Sequence, residues 1–123
     1  LSNMMREETA TLDERIDIIR ALGQIRYYDA LPEIKSATSD EDWRVRNVAF
    51  VALWRLEGED CTETLLKGIT DENWWVRTNT AKLLAQHTQS SQIADRLVEM
   101  QDSYAYQAFV YAMRKRELEL NRR

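Results

Sequence analysis

Glycine, proline, cysteine and histidine are all scarce in this chain: three, one, one and one in 123 residues. Strand-rich folds need many turns, so the shortage of turn formers favours helices. A single cysteine excludes an internal disulfide. With no cysteine pair and no second histidine, the ligand sets of zinc sites are also missing, and no metal or cofactor is expected. One unpaired thiol suits a reducing compartment, and a cytoplasmic location is expected. No run approaches the roughly 18 apolar residues of a membrane span. No signal peptide is visible, and no glycine-rich loop is present to cradle phosphate. The chain opens "LSNMMREE" without an initiator methionine, as expected of a fragment of a longer protein.

What is present suits a globular domain. Hydrophobic residues make up 44% and charged residues 31%, and the length fits one domain over 1–123 that buries a core without staples. Good helix formers (Glu, Arg, Leu, Gln, Ala) are frequent. The net charge of −4 argues mildly against a general nucleic-acid binder, though a local patch is what matters for that function.

The strongest signal is internal repetition. "DEDWRVRNVAFVAL" at 40–53 and "DENWWVRTNTAKLL" at 71–84 align at an offset of 31, pairing Asp40 with Asp71, Trp43 with Trp74, Val45 with Val76 and Arg46 with Arg77. The same step back from Ala52 and Leu53 reaches Ala21 and Leu22, so a third, worn copy occupies 12–25. Beyond residue 90 the register slips by a residue or two. The units are about 12–28, 29–59, 60–90 and 91–120.

A unit of this length holds two short helices and two turns. The spacing predicts a first helix over 29–38, capped by Asp29, with Pro32 in its first turn, where a missing N–H costs little. It predicts a second helix over 42–57, capped by Asp42 or Asp40, with Val45, Ala49, Ala52, Leu53 and Leu56 on one buried stripe. Ala49, Ala52 and Ala81 are small enough for helices to approach closely.

"ALGQIRYYDALPEIKSATSDEDWRVRNVAFVAL" and "ITDENWWVRTNTAKLL" resemble the HEAT-like repeat family, in its short form named after phycobiliprotein bilin lyases. The match is close over about 12–87 and loose over 88–120. The resemblance implies an all-α fold, an α-solenoid (HEAT-like superhelix) of about seven antiparallel helices in roughly three and a half repeats. Second helices would line a concave face. Asp-x-Asp together with Arg46 and Arg77 would form a ladder in which Arg reaches Asp groups of the adjoining repeat. The family hosts many functions, so the resemblance speaks to architecture rather than activity.

Opposite the buried stripe, the second helices carry Trp43, Asn47, Val51 and Trp54, flanked by Arg44, Val48 and Arg55. In the next copy the matching places are Trp74, Thr78, Lys82 and Ala85, flanked by Trp75, Asn79 and Gln86. In the worn copy they are Leu12, Ile16, Arg20 and Gly23. Trp and Arg are enriched at binding hot spots. The candidate binding residues are therefore Trp43, Arg44, Asn47, Val51, Trp54, Arg55, Trp74, Trp75, Thr78, Asn79 and Lys82. Trp43 and Trp74 either face outward or fold over the seam between repeats. Trp75 is the stronger candidate, because its counterpart is Arg44 and the position therefore tolerates a charge.

Cys61 and His87 fall at repeat positions held elsewhere by Ala30 and by Leu56 and Ile25, so both are expected as core fillers rather than a catalytic pair. The acidic clusters at 39–42, 57–60 and 71–72 fall in turns and are expected as helix caps. The tail "MRKRELELNRR" brings Arg114, Lys115, Arg116, Arg122 and Arg123 to one end. Tyr104, Tyr106, Phe109 and Tyr111 are too many aromatics for one helix to bury alone.

The first functional expectation is a non-enzymatic scaffold that binds a peptide or protein segment on a concave Trp- and Arg-bearing surface. The second is a HEAT protein of another class, either a nucleic-acid binder like the alkylpurine glycosylases or a bilin-lyase-like protein. The acidic balance and the short chain weigh against the second.

Overall fold

The structure, a computed structural model, describes residues 11–122. The opening LSNMMREE and Arg123 of the basic tail lie outside the described residues. All regular structure among the described residues is helical, with no strand. The chain forms two compact units, Leu1–Cys61 and Thr62–Arg123, and the division falls close to the repeat boundary at 59/60.

In the first unit, α1 spans Leu12–Gln24, α2 Leu31–Ala37 and α3 Trp43–Glu57, with short 3-10 turns at Tyr28–Ala30 and Gly58–Cys61. Both α1 and α2 pack on α3. Ile19, Leu22, Ile34 and the whole predicted stripe of α3 (Val45, Ala49, Ala52, Leu53, Leu56) are buried. Each fully buried Leu, Ile or Val contributes roughly 1.5–3 kcal/mol of apolar transfer.

The helix expected over 29–38 is shorter than its pattern. Tyr28–Ala30 form a 3-10 turn, α2 begins at Leu31 after Ala30, and no side chain caps it. Asp29 is therefore not its cap. Pro32 does sit in the first turn, where no N–H is required. At the other end of α1, Arg26 takes a positive φ of 55°. The Tyr27 N–H bonds to the Leu22 carbonyl and the Arg26 N–H to that of Gly23, a Schellman closure that satisfies two terminal carbonyls.

In the second unit, α4 spans Thr62–Gly68, α5 Trp74–Leu84, α6 Ser90–Glu99 and α7 Ser103–Asn121. α4 packs on α5, and α5 and α6 pack on α7. Leu65, Val76, Leu84, Ile93, Leu97, Ala105 and Phe109 are buried. Thr80 is buried as well. Its hydroxyl donates to the Val76 carbonyl at 2.7 Å, which satisfies the polar group inside the helix.

The repetition read from the letters recurs atom by atom. Asp42 and Asn73 cap α3 and α5 with nearly the same backbone, φ −89°, ψ 125° and φ −89°, ψ 128°. The Asp42 carboxylate accepts the Arg44 N–H at 2.9 Å, and the Asn73 side-chain oxygen accepts the Trp75 N–H at 2.8 Å. One step earlier, Asp40 accepts the Asp42 N–H and Asp71 the Asn73 N–H. Arg46 donates to the carbonyls of Asp40 and Glu41, and Arg77 to those of Asp71 and Glu72. Thr11, a further 31 residues back, caps α1 through the Glu14 N–H. Asp102, at an offset of 29, caps α7 through the Ala105 N–H. Four second helices thus start from one kind of side-chain cap, each satisfying an N–H that the helix cannot.

Candidate interaction surface

Trp74 and Trp75 open α5 and are 57% and 54% exposed. Their rings meet edge to face, with centroids 4.8 Å apart and planes at 77°, the arrangement favoured by aromatic quadrupoles. The helix start that carries them is fixed by Asn73, which accepts N–H bonds from both Trp75 and Val76, and by Arg77, clamped to the preceding turn. Of the two orientations open to Trp74, the outward one is observed. Thr78 and Asn79 follow half-buried, and Lys82 is exposed.

The matching start of α3 is built differently. Trp43 is half-buried and Arg44 is exposed. Arg44 forks onto Asp42, Nε to Oδ1 at 3.1 Å and Nη2 to Oδ2 at 2.9 Å. The side-chain and backbone N–H donors of Arg44 hold the Asp42 carboxyl below its usual range. Asn47, Val51 and Trp54 are half-buried, and Arg55 is exposed. One copy thus spends the cap and the position two beyond it on an ion pair, Asp42–Arg44. The other replaces both members, with a neutral Asn73 that accepts only backbone N–H groups and a Trp75 whose ring turns to its neighbour Trp74.

Two residues expected on the outward strip are not there. Gly23 and Ala85 are buried. A Cβ on Gly23 would lie 2.8 Å from both Cα and Cβ of Ala52, so Gly23 is where α1 meets α3. The strip is therefore narrower at its C-terminal end than the helical wheel suggests.

Arg15 carried a signal that the sequence reading passed over. It lies 31 residues before Arg46, and its Nη2 donates to the Asp40 carboxylate at 2.7 Å, from one repeat to the next within the first unit. Arg15 thus pairs with an Asp of the next repeat, at a residue that the sequence motif did not mark. The worn front of the first copy hid it. In the second unit, Arg96 forks onto Glu63, joining α6 to α4. No repeat spacing points to that pair.

Cys61 is buried, as its repeat position predicts. Its thiol donates to the Gly58 carbonyl, and burial, reinforced by the Glu57 carboxylate, pushes its pKa up to about 12. His87 is only half-buried and lies beyond the end of α5. Its Nδ1 accepts the Gln89 N–H at 2.9 Å. Ile25, which shares that repeat position, is 61% exposed, so the position is not uniformly core. On α7 only Phe109 of the four aromatics is buried. The Lys115 ammonium lies 5.9 Å from the exposed Tyr111 ring.

Two clefts are open to solvent. One of about 330 Å³ in the first unit is lined by Arg15, Ile19, Pro32, Glu33 and Asp40. The other, of about 470 Å³ in the second, is lined by Glu63, His87, Ile93 and Arg96. Neither is lined by the Trp pair. Among the described residues no group of His, Cys, Asp and Glu could hold a metal ion, and no helix is long and apolar enough to cross a membrane. No family model, curated protein or solved structure matches the chain.

Proposed function

We propose that this chain is a HEAT-like repeat module of the α-solenoid class, and that it binds a peptide or protein segment without catalysing a reaction. The observation that carries the binding reading is the Trp74–Trp75 pair, two large aromatic rings more than half exposed on a rigidly capped helix start. Exposed Trp has little to offer folding and much to offer an interface. It brings a large apolar area, few rotatable bonds and an N–H donor. Two exposed rings at a helix start suit a partner segment laid along the helix. Asn79 and Lys82 on the same helix supply polar and charged contacts around the aromatic centre. Arg44 and Trp43 offer a second, weaker anchor in the first unit, because the Arg44 fork is already held by Asp42.

The test uses the full chain immobilised against a library of helical and extended peptides, followed by titration of the captured sequences with Trp75→Ala. Affinity should fall at least about fivefold while the thermal unfolding curve stays unchanged, since truncating a central interface Trp typically costs more than about 1 kcal/mol. Unaltered affinity with an unaltered melting curve would dismiss the pair as the binding site.

A further inference from the structure

Acidic residues number 21 in this chain, yet 73–94 and 103–116 contain none. Those stretches include all of α5 and most of α7, which pack on one another in the second unit. Short turns on either side of α6 reverse the chain twice, so α7 runs parallel to α5. Counted from their caps, Asn73 and Asp102, the two helices match position by position. Trp75 and Tyr104 stand second, Lys82 and Tyr111 ninth, and all four are exposed. The two rows are about 10 Å apart along the helices, and packed helices lie about 8–10 Å apart, so the four side chains share one small face.

Stacking leaves this face outside. The residue second after the cap is exposed in all four second helices, as Asp13, Arg44, Trp75 and Tyr104. α3 has α1 and α2 packed on it, α5 has α4 and α7, and none of these neighbours covers that position. What differs between the units is charge. In the first, Arg44 is paired with Asp42 and Arg20 with Asp17. In the second, Lys82, Arg114 and Lys115 are exposed and make no ion pair with any described residue. Lys115 lies only over the Tyr111 ring, at 5.9 Å. At about 100° per residue, Arg114 and Lys115 fall within about 60° of Tyr111. Glu117 and Glu119 lie beyond them, about 120° and 80° round the helix, and Arg122 follows back on the Tyr111 line. Even with Glu119 counted at its edge, cations outnumber carboxylates on this face.

The strip is polarised along its length. Its start holds Trp75 and Tyr104 beside the carboxylates of the preceding turns, which are the exposed Glu72 and the N–H acceptors Asp71 and Asp102. Its far half holds the cations. A nucleic acid carries a phosphate at every unit, so it would meet those carboxylates as well as the cations. A peptide can confine its charge to one end. We infer that the segment bound along the Trp pair is acidic at one end and apolar at the other. Its carboxylates meet Lys82, Arg114 and Lys115, and its apolar side chains meet Trp75 and Tyr104. The inference rests on the peptide-binding reading of the Trp pair; it adds the partner's chemistry and carries the site onto α7.

The test titrates the full chain with fluorescein-labelled peptides bearing leucines at one end and glutamates at the other, in both chain directions, beside the peptides captured from the library. The captured peptides should be enriched in Asp and Glu. One direction of the leucine–glutamate peptide should bind, weaken as salt rises, and lose affinity when its glutamates become glutamines. Lys82→Glu combined with Lys115→Glu should weaken it at least about tenfold, and Tyr104→Ala at least about fivefold. Unfolding curves should stay close to the parent's, because all three sites are exposed. Lys67→Glu, at an exposed cation of α4, should bind as the parent does. Captured peptides that need Trp75 but show no acidic excess, and that bind the doubly reversed protein as tightly as the parent, overturn this inference and leave the peptide reading standing. Failure to capture any Trp75-dependent peptide overturns both. Tighter binding of a thymidine oligonucleotide than of any peptide, lost in the same variants, makes the occupant a nucleic acid and also overturns the inference.

Discussion

Gly23→Ala is the sharpest probe of how the first unit is packed. On an exposed helix face, exchanging Gly for Ala should stabilise by about 1 kcal/mol, because Ala gives up less backbone freedom. At Gly23 the added methyl would sit 2.8 Å from Cα and Cβ of Ala52. Carbon atoms rest about 3.5–4.0 Å apart, so α1 and α3 must separate by roughly 1 Å, a gap that forfeits up to about half of each contact's dispersion well. Ile19 and Leu22, on the same face of α1, are almost fully buried and would lose contacts as the helices part. Because one of the two clashing atoms is backbone, rotamer changes cannot relieve it. Overpacking of this kind costs about 1–3 kcal/mol. Set against the propensity gain, the expected result is a net loss of up to about 2 kcal/mol.

Urea unfolding followed by far-ultraviolet circular dichroism measures this, with the transitions of the two units resolved where they separate. Gly58→Ala is the companion measurement. A Cβ there meets nothing within 4 Å, but the backbone holds φ at 57° and ψ at −134°, a region open in practice only to glycine. Its cost should be about 1–3 kcal/mol of pure backbone strain. Replacing Ala52 by Gly should partly rescue Gly23→Ala and leave Gly58→Ala untouched. If Gly23→Ala instead raises the unfolding midpoint, as at an exposed helix site, the close approach of α1 to α3 is wrong.

Two further perturbations separate chemistry that the repeat otherwise makes equivalent. Asp42→Ala and Asn73→Ala each remove a cap and should each cost about 1 kcal/mol at neutral pH. The Arg44 guanidinium holds the Asp42 carboxyl below its ordinary value of 3.8 in the folded chain. Its stabilisation is therefore present above that value and is lost as pH falls through the lower folded pKa. In acid the Asp42→Ala penalty should shrink while that of Asn73→Ala persists; equal acid dependence would contradict the Asp42–Arg44 pairing. Cys61 gives the opposite sign. Its folded pKa, raised to about 12 from 9.0, contributes stability that is present below pH 9.0 and lost as pH rises through that window. Alkaline unfolding titrations of the parent and Cys61→Ala should converge there, and the native thiol should resist alkylation at pH 8. Rapid modification of folded protein would show that the thiol is not enclosed.

The candidate surface was legible unevenly. Trp75 could be marked from the sequence because the other copy holds Arg44 at that place, and a position that accepts both a charge and an aromatic ring faces water. Trp74 could not be decided that way, since both copies hold Trp and identity is equally consistent with stacking or with display. Gly23 and Ala85 were read onto the outward strip because a helical wheel knows only angle. Close approach of a neighbouring backbone buries a small residue that angle alone leaves outside. Arg15 was passed over because the front of its copy had lost the Trp and Val that announce the motif, although its ion pair with Asp40 is present.

The sequence by itself determined that the chain is helical, where four of its helices start, and which residues fill their stripes. Those properties follow from local rules. A capping oxygen must lie within three residues of the N–H it accepts, and an apolar stripe must recur at the helical period. Only the tertiary structure decided which of those stripes finds a partner. The same positions that are buried in α3 and α5 lie half open in α1 and α7. Whether Val110 or Ile18 is core depends on a neighbouring helix that the residue's own segment does not encode.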